Sequence, residues 1–384
     1  MNTLVNRSSV TSQNLDLWLV IVVAILCSIG FLAIASASID YAESRYGWRW
    51  YHASKHAVYL VIAIVGACVA YRVPARVWNL SSWVWLLLAV ALLLLVLVPG
   101  VGREVNGAQR WIPLGPINLQ PSETAKAALI LFLASYLQRR QDEIRESWMG
   151  FLKPLFIVGG LSILLLFEPD FGATVIVCGT ALGMLFLAGV RLSQFFVVAT
   201  GLVGIAIVMV IAAPYRLKRF LSYQDPWADP FDSSFQLTQS LIAFGRGDVT
   251  GAGLGQSVQK LFYLPEAHTD FVFSIWAEET GLIGSLLLLA LFVLLIGRLL
   301  WWSRVALARS LTFESHVFAG IAFMLSGQVF VSMGMSMGLL PTKGLTLPMI
   351  SFGGSSLIVT LALMGIALRL TKDCEEVSGR RVPS

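Results

Sequence analysis

Apolar and polar positions fall in long blocks along this chain. Ten predominantly apolar runs lie near 17–37, 57–73, 82–99, 123–138, 153–167, 171–189, 194–213, 271–300, 313–337 and 347–370. Roughly 20 apolar residues in helical form cross a bilayer. The pattern predicts an all-α integral membrane protein of ten transmembrane helices, one polytopic domain over 1–384. Short polar tails are expected over about 1–16 and 371–384, and no internal repeat or low-complexity linker divides the chain. The first run ends in Ala35-Ser36-Ala37, the small-residue pattern of a cleavage site. Its apolar core is longer than the roughly 7–15 residues of a secretory signal, so an uncleaved span is expected.

The polar interruptions are unequal. The longest, 214–270, separates the seventh and eighth runs, holds six carboxylates and five cations, and ends in YLPEAHTDF (Tyr263–Phe271) where the next run begins. A long charged loop closing onto a span is a natural place for a site at the membrane surface. Glu168-Pro169-Asp170-Phe171-Gly172 separates two spans by almost nothing, which predicts a tight helical hairpin with two carboxylates at its turn, where water still solvates them. Gln120-Pro121-Ser122-Glu123 reads as a helix start, and Glu123 with Lys126 at i,i+3 spacing can form a neutralising pair. Gly338–Ser356 carries two prolines, four glycines and one charge, Lys343. That composition between apolar spans predicts a re-entrant or broken-helix turn.

Composition agrees: 57% of the 384 residues are hydrophobic and 13% charged, with mean hydropathy +0.77. With the N-terminus inside, inner loops and tails hold 15 of the 27 Lys and Arg residues, and the short loops 138–153 and 298–309 are plainly basic. The positive-inside rule then places both termini in the cytoplasm and 214–270 as a large extracytoplasmic loop. The basic excess suits anchoring to an inner leaflet better than nucleic acid, since no basic patch with interleaved aromatics occurs in a soluble segment. Three of the four cysteines sit in apolar runs, so no disulfide framework or metal spacing is suggested.

The outer face would thus collect Arg103, Arg110, Arg216, Lys218, Arg219, Arg246, Lys260 and Lys343 with Glu168, Asp170, Asp225, Asp229, Asp232, Asp248, Glu266 and Asp270. Glu278-Glu279 lie within the next span, where at least one needs a partner or water. There is no Ser-His-Asp order, no His/Cys ligand cluster and no nucleotide-binding Gly loop. These parts permit a carboxylate base with cations that stabilise a departing phosphate, or a transporter of an anionic lipid. Plainer roles stand beside each candidate: a loop histidine for His268, an N-cap for Asp270, a snorkelling lysine for Lys343.

YLPEAHTDF together with PTKGLTLPMISFGGSS (Pro341–Ser356) resembles the SEDS family of bacterial cell-wall polymerases, its division branch more than its elongation branch. Further strings resemble the family in order: GAQRWI (Gly107–Ile112), QPSETAK (Gln120–Lys126), EPDFG (Glu168–Gly172), DPWADP (Asp225–Pro230), QLTQSLIAFGRG (Gln236–Gly247) and GAGLGQSVQK (Gly251–Lys260). The resemblance implies a peptidoglycan glycosyltransferase of the bacterial inner membrane that polymerises lipid II into glycan strands at the division septum, releasing undecaprenyl diphosphate. It implies Asp270 as the essential carboxylate, acting as general base on the acceptor's 4-hydroxyl. Arg110, Lys126 and Lys343 match family positions of functional importance, and Arg110 and Lys343 are expected at the diphosphate or headgroup. Arg216, Lys218 and Arg219 are added as substrate-binding candidates from charge and place, and Glu123, Glu266 and His268 complete the set.

A divalent cation such as magnesium is a possible cofactor without identified ligands. Implied partners are a class B penicillin-binding protein and other divisome membrane proteins. Alternatives are a lipid II flippase, a non-catalytic divisome scaffold and an elongation role. The chain departs from the family pattern at Ser332-Met333-Gly334, at Phe352 in place of Tyr, at Glu168 in place of Gln, and over 232–235 in place of a Gly-rich string.

Overall fold

The structure, a computed structural model, describes residues 15–105, 108–115, 117–231, 234–342 and 344–380. In chain order the elements are α1 (Leu17–Tyr46), α2 (Tyr51–Arg72), α3 (Ala75–Leu80), α4 (Ser82–Val96), β1 (Arg103–Val105), β2 (Ala108–Leu114), β3 (Ile117–Leu119), α5 (Pro121–Arg139), α6 (Gln141–Glu146) and α7 (Trp148–Phe167). They continue with α8 (Phe171–Leu187), α9 (Leu192–Ile211), α10 (Pro214–Ser222), α11 (Phe235–Gly247), α12 (Val272–Ala308), α13 (Thr312–Ser336) and α14 (Gly354–Arg380).

Every apolar run overlaps a helix. Among the described residues α1, α2, α7, α9, α12, α13 and α14 are long and apolar enough to cross a membrane, and α4 and α8 are shorter apolar helices. The one run left, 123–138, coincides with α5, whose first turns carry Glu123 and Lys126. The helices differ in what surrounds them. Most of α5 is buried, including Leu129, Ile130 and Phe132, as expected of a helix at the centre of a bundle. On α9 only Gln194 is buried, so its apolar side chains face outward, an arrangement stable in lipid and costly in water. Small residues permit the closest helix contact: a Cβ on Gly365 of α14 would lie 2.2 Å from the Ala67 carbonyl of α2.

Two features modify the helical picture. Residues 103–119 form an antiparallel three-stranded sheet in the order β1-β2-β3, with Ile112 opposite Leu119. Apolar blocks do not reveal strands of three to seven residues. The loop 214–270 is also not open chain, since it contains α10 and α11, and α11 packs on α12 and α13.

The last run splits as its glycines and prolines suggested. Residues 345–353 are non-helical yet bury Leu345, Leu347, Met349 and Ile350, and α14 begins only at Gly354. The backbone of this turn enters the bundle against α1, where a Cβ on Gly30 would meet the Met349 carbonyl at 2.2 Å. At the opposite end Asp16 caps α1 by accepting from Leu19 N at 3.2 Å and pairs with Arg298 of α12 at 2.8 Å.

Candidate active site

A cavity of about 660 Å³ opens at one end of the bundle, walled by the sheet, the starts of α5 and α8, the end of the 214–270 loop and the 342–355 turn. The sheet supplies its cation. From β2 the Arg110 guanidinium reaches the α7–α8 turn, donating from Nε to Glu168 O at 3.0 Å and from Nη2 to Pro169 O at 2.5 Å. Two carbonyls thus orient the charge without neutralising it.

The two acids of that turn are not solvated, contrary to the expectation from sequence. Asp170 is buried because it caps α8, its Oδ1 accepting from Ala173 N at 3.1 Å. Glu168 is 0% exposed, and neither of its oxygens accepts a hydrogen bond. Burial, reinforced by Asp170 and opposed by Arg110, raises its pKa to about 8, so the carboxyl is neutral at pH 7.

Pro121 opens α5 at a position needing no N–H, which leaves Glu123 in its first turn on the cavity wall. Lys126 is buried one turn on and pairs with Glu123 at 2.8 Å, the pair anticipated from their spacing. Gln120 N donates to Ser355 Oγ at 2.9 Å, and that hydroxyl donates to Asn118 O at 2.7 Å. The helix start, the sheet and the GGSS string are thereby one wall. Charge and spacing did not single out Asn118, Gln120 or Ser355; Gln120 and Ser355 belonged to motif strings, and Asn118 gave no signal.

The loop's last residues build a turn around Glu266. Its carbonyl accepts from Thr269 N at 3.1 Å and Phe271 N at 3.2 Å, and its carboxylate accepts from Thr269 Oγ1 at 2.6 Å. Glu266 lines the cavity and shapes the turn that presents Asp270. His268 lies behind the wall, its ring 4.8 Å from His52, 5.2 Å from Tyr41 and 6.0 Å from Phe352, with its carbonyl accepting from Phe352 N at 3.0 Å. Burial lowers its pKa to about 4, so the ring is neutral.

Asp270 lines the cavity but does not cap α12. That position belongs to Phe271, and no side chain bonds there. The Asp270 carboxylate instead faces the 342–346 turn, its Oδ2 3.0 Å from the point a Cβ on Gly344 would occupy. Thr342 and Gly344 also line the cavity, while Lys343 between them lies outside the described residues.

Lys218 is exposed on α10 and is not part of the wall. Arg216 and Arg219 belong to the same helix, and their side chains lie outside the described residues. Among the described residues no three His, Cys, Asp or Glu side chains converge as metal ligands. The Asp270 carboxylate and the oriented Arg110 guanidinium thus line one cavity. Those groups suit proton abstraction beside a developing anion.

The chain is similar to known proteins along nearly its whole length. The family model described as cell cycle protein, for FtsW, RodA and SpoVE, matches residues 17–376. The chain is 48% identical over 379 residues to a probable peptidoglycan glycosyltransferase FtsW of Hahella chejuensis, covering 99% of this chain and 95% of that protein. A protein of the same description from Coxiella burnetii is 49% identical over 369 residues, covering 96% and 99%. Among solved structures, the chain superposes with TM-score 0.77 at 31% identity on a chain from a structure concerned with coordination of polymerization and crosslinking by a peptidoglycan synthase complex, covering 94% of this chain and 98% of that one. The rod shape determining protein RodA of Thermus thermophilus gives TM-score 0.69 at 31% identity, covering 94% and 97%. Near-complete coverage by the family model, and by relatives so similar, means that this chain belongs to the cell cycle protein family of FtsW, RodA and SpoVE, the SEDS family its motifs resemble.

Proposed function

We propose that this protein is a peptidoglycan glycosyltransferase that polymerises lipid II on the outer face of the bacterial inner membrane at the division septum. The observation that carries the reading is Asp270, held by the Glu266 turn on the cavity wall against Gly344, in the same cavity as Arg110. Its relatives' description as probable peptidoglycan glycosyltransferases FtsW supports the reaction class and the division role.

In the reaction, Asp270 takes the proton from the acceptor sugar's 4-hydroxyl as that oxygen bonds to the anomeric carbon of the lipid-linked donor. The bond from that carbon to the diphosphate breaks, and undecaprenyl diphosphate leaves without protonation, so no second carboxyl is required. Arg110 receives the developing diphosphate charge, and Lys343, from the turn facing Asp270, adds a second cation. Glu123, neutralised by Lys126, is a hydrogen-bond acceptor on the wall for sugar or amide groups. Arg216, Lys218 and Arg219 on α10 meet the lipid headgroup at the membrane surface. A divalent cation, if used, would arrive with the diphosphate, because the described residues offer no ligand cluster of their own.

Ten helices cross the membrane with both termini in the cytoplasm, and the 214–270 loop lies outside. A class B penicillin-binding protein crosslinks the strands in complex with this chain, alongside other divisome membrane proteins.

The test is polymerisation of labelled lipid II by the purified chain with its transpeptidase partner. Replacing Asp270 with Asn is expected to lower the rate by about a hundredfold or more, the usual contribution of a positioned base. Parental activity in that variant would sink the assignment.

A further inference from the structure

A second charged cluster lies away from the cavity, at a break in α12. Gly281 takes φ 67° and ψ −163°, which divides the helix into 272–280 and 282–308. The break frees backbone groups in an apolar span, where they need new partners. The chain following α11 supplies them. Ala252 N donates to Glu278 O at 2.9 Å and Gly253 N to Glu279 O at 3.0 Å, while Leu282 N donates to Asp248 O at 2.9 Å and Ile283 N to Val249 O at 3.2 Å.

Contact this close demands glycine on the docking strand as well as at the break. A Cβ on Gly247 would meet the Ala277 carbonyl at 2.1 Å, and one on Gly251 the Glu279 carbonyl at 2.2 Å.

Side chains lock the same junction. Glu278, fully buried, accepts from Arg246 at 2.7 Å, from Val258 N at 3.0 Å, from Gln259 N at 3.3 Å and from Ser257 Oγ. Glu279 accepts from Ser36 Oγ of α1 at 2.5 Å and from Lys260 at 3.4 Å, and Lys260 itself donates to Ser36 at 3.2 Å. Burying two carboxylates, one of them with its cation Lys260, seldom stabilises a fold more than apolar packing would. The cluster therefore calls for a role other than stability.

Its place supplies one. Segment 272–280 begins two residues after Asp270 and runs about 13 Å at 1.5 Å per residue. Because the helix is broken at Gly281, the long 282–308 part does not fix the direction of this segment. The Arg246–Glu278 and Lys260–Glu279 pairs do so at its far end. Near its start, Ser274 is tied to Ser240 of α11 at 2.6 Å, and Ser240 donates to Ser336 O at 2.6 Å.

We propose that Arg246, Lys260, Glu278 and Glu279 are positioning residues for glycan polymerisation, forming a clasp that aims 272–280 and so sets the Asp270 carboxylate against the 342–346 turn. The inference rests on Asp270 being the base. The clasp touches no reacting atom. Its loss should misplace the base and leave substrate binding in place, and misplacements near 1 Å cost about a hundredfold.

The experiment titrates lipid II against the full chain with its transpeptidase partner, for the parent, Arg246→Gln, Lys260→Met, Glu278→Gln and Asp270→Asn, each well below its own melting temperature. Arg246→Gln and Lys260→Met are expected to lower kcat by about tenfold to a hundredfold, with KM held within about twofold. Arg246→Lys, which keeps the charge, should recover most of the loss.

Parental kcat in Arg246→Gln and Lys260→Met overturns the proposal. So does a raised KM at unchanged kcat, which would make these residues substrate contacts. If Glu278→Gln fails to fold, Arg246→Gln still decides, because the Arg246 side chain is 42% exposed and tolerates the change. Parental activity in Asp270→Asn would instead remove the base assignment, whatever the clasp variants do.

Discussion

Glu168 illustrates how one side chain can invert its expected chemistry. The hairpin turn EPDFG reads from sequence as two solvated carboxylates, yet the α8 cap consumes Asp170 and burial neutralises Glu168. A protonated carboxyl has the shape of an amide, which accounts for Glu at a position where the family resemblance leads one to expect Gln. The linkage has a definite sign. Unfolded, the acid ionises near 4.5, and folded it does so near 8, so the folded state binds more protons between those values and parental stability falls as pH rises through that window. Glu168→Gln should therefore match the parent below about pH 4.5, gain on it up to pH 8 and then hold a constant lead. The gain at pH 7 is at most roughly 3 kcal/mol. Thermal unfolding of both proteins across pH 4–9 in one detergent measures it, and a pH-independent difference would refute the buried neutral acid. Asp270 was legible because it ends a recognisable string at a span boundary. Arg110 was named from sequence too, but its tether to two backbone carbonyls was not, since carbonyl geometry leaves no trace in residue identity.

At the scale of elements, the length of an apolar run proved the strongest signal, and each of the ten runs overlaps a helix. Glycine and proline told the re-entrant 345–353 turn from a plain loop because an apolar span tolerates non-helical backbone only inside protein. The sheet and the α12 break escaped for opposite reasons. The strands are too short to build a pattern, whereas the apolar run at 271–300 is so continuous that it conceals the break. The only clue was Glu278-Glu279-Thr280-Gly281 within it. The break makes a sharp prediction, because Gly281 occupies backbone space reserved for glycine and a Cβ there would meet Gly251 N at 2.4 Å. Gly281→Ala should lose about 1–3 kcal/mol from backbone strain alone, with the clash adding to it. A melting curve unchanged from the parent would contradict the broken helix.

Over the whole molecule, many large apolar side chains face outward, most completely along α9. The proposed orientation can be read with a membrane-impermeant thiol reagent. Glu266→Cys, in the exposed turn beside Asp270, should label from outside in cells whose outer membrane alone is permeable. Arg140→Cys, exposed at the junction of α5 and α6, should label only after the inner membrane is opened. The reverse result would place the cavity in the cytoplasm and remove lipid II polymerisation as the function.

The cavity wall gathers residues 110, 170, 270, 344 and 355, segments separated by most of the chain. A ribosome releases a chain from its N-terminus, so Arg110 and Asp270 both emerge before the 342–355 turn. An unfinished chain therefore contains Asp270 and Arg110 but not the surface that opposes them. The cavity is therefore whole only once that turn has joined the bundle.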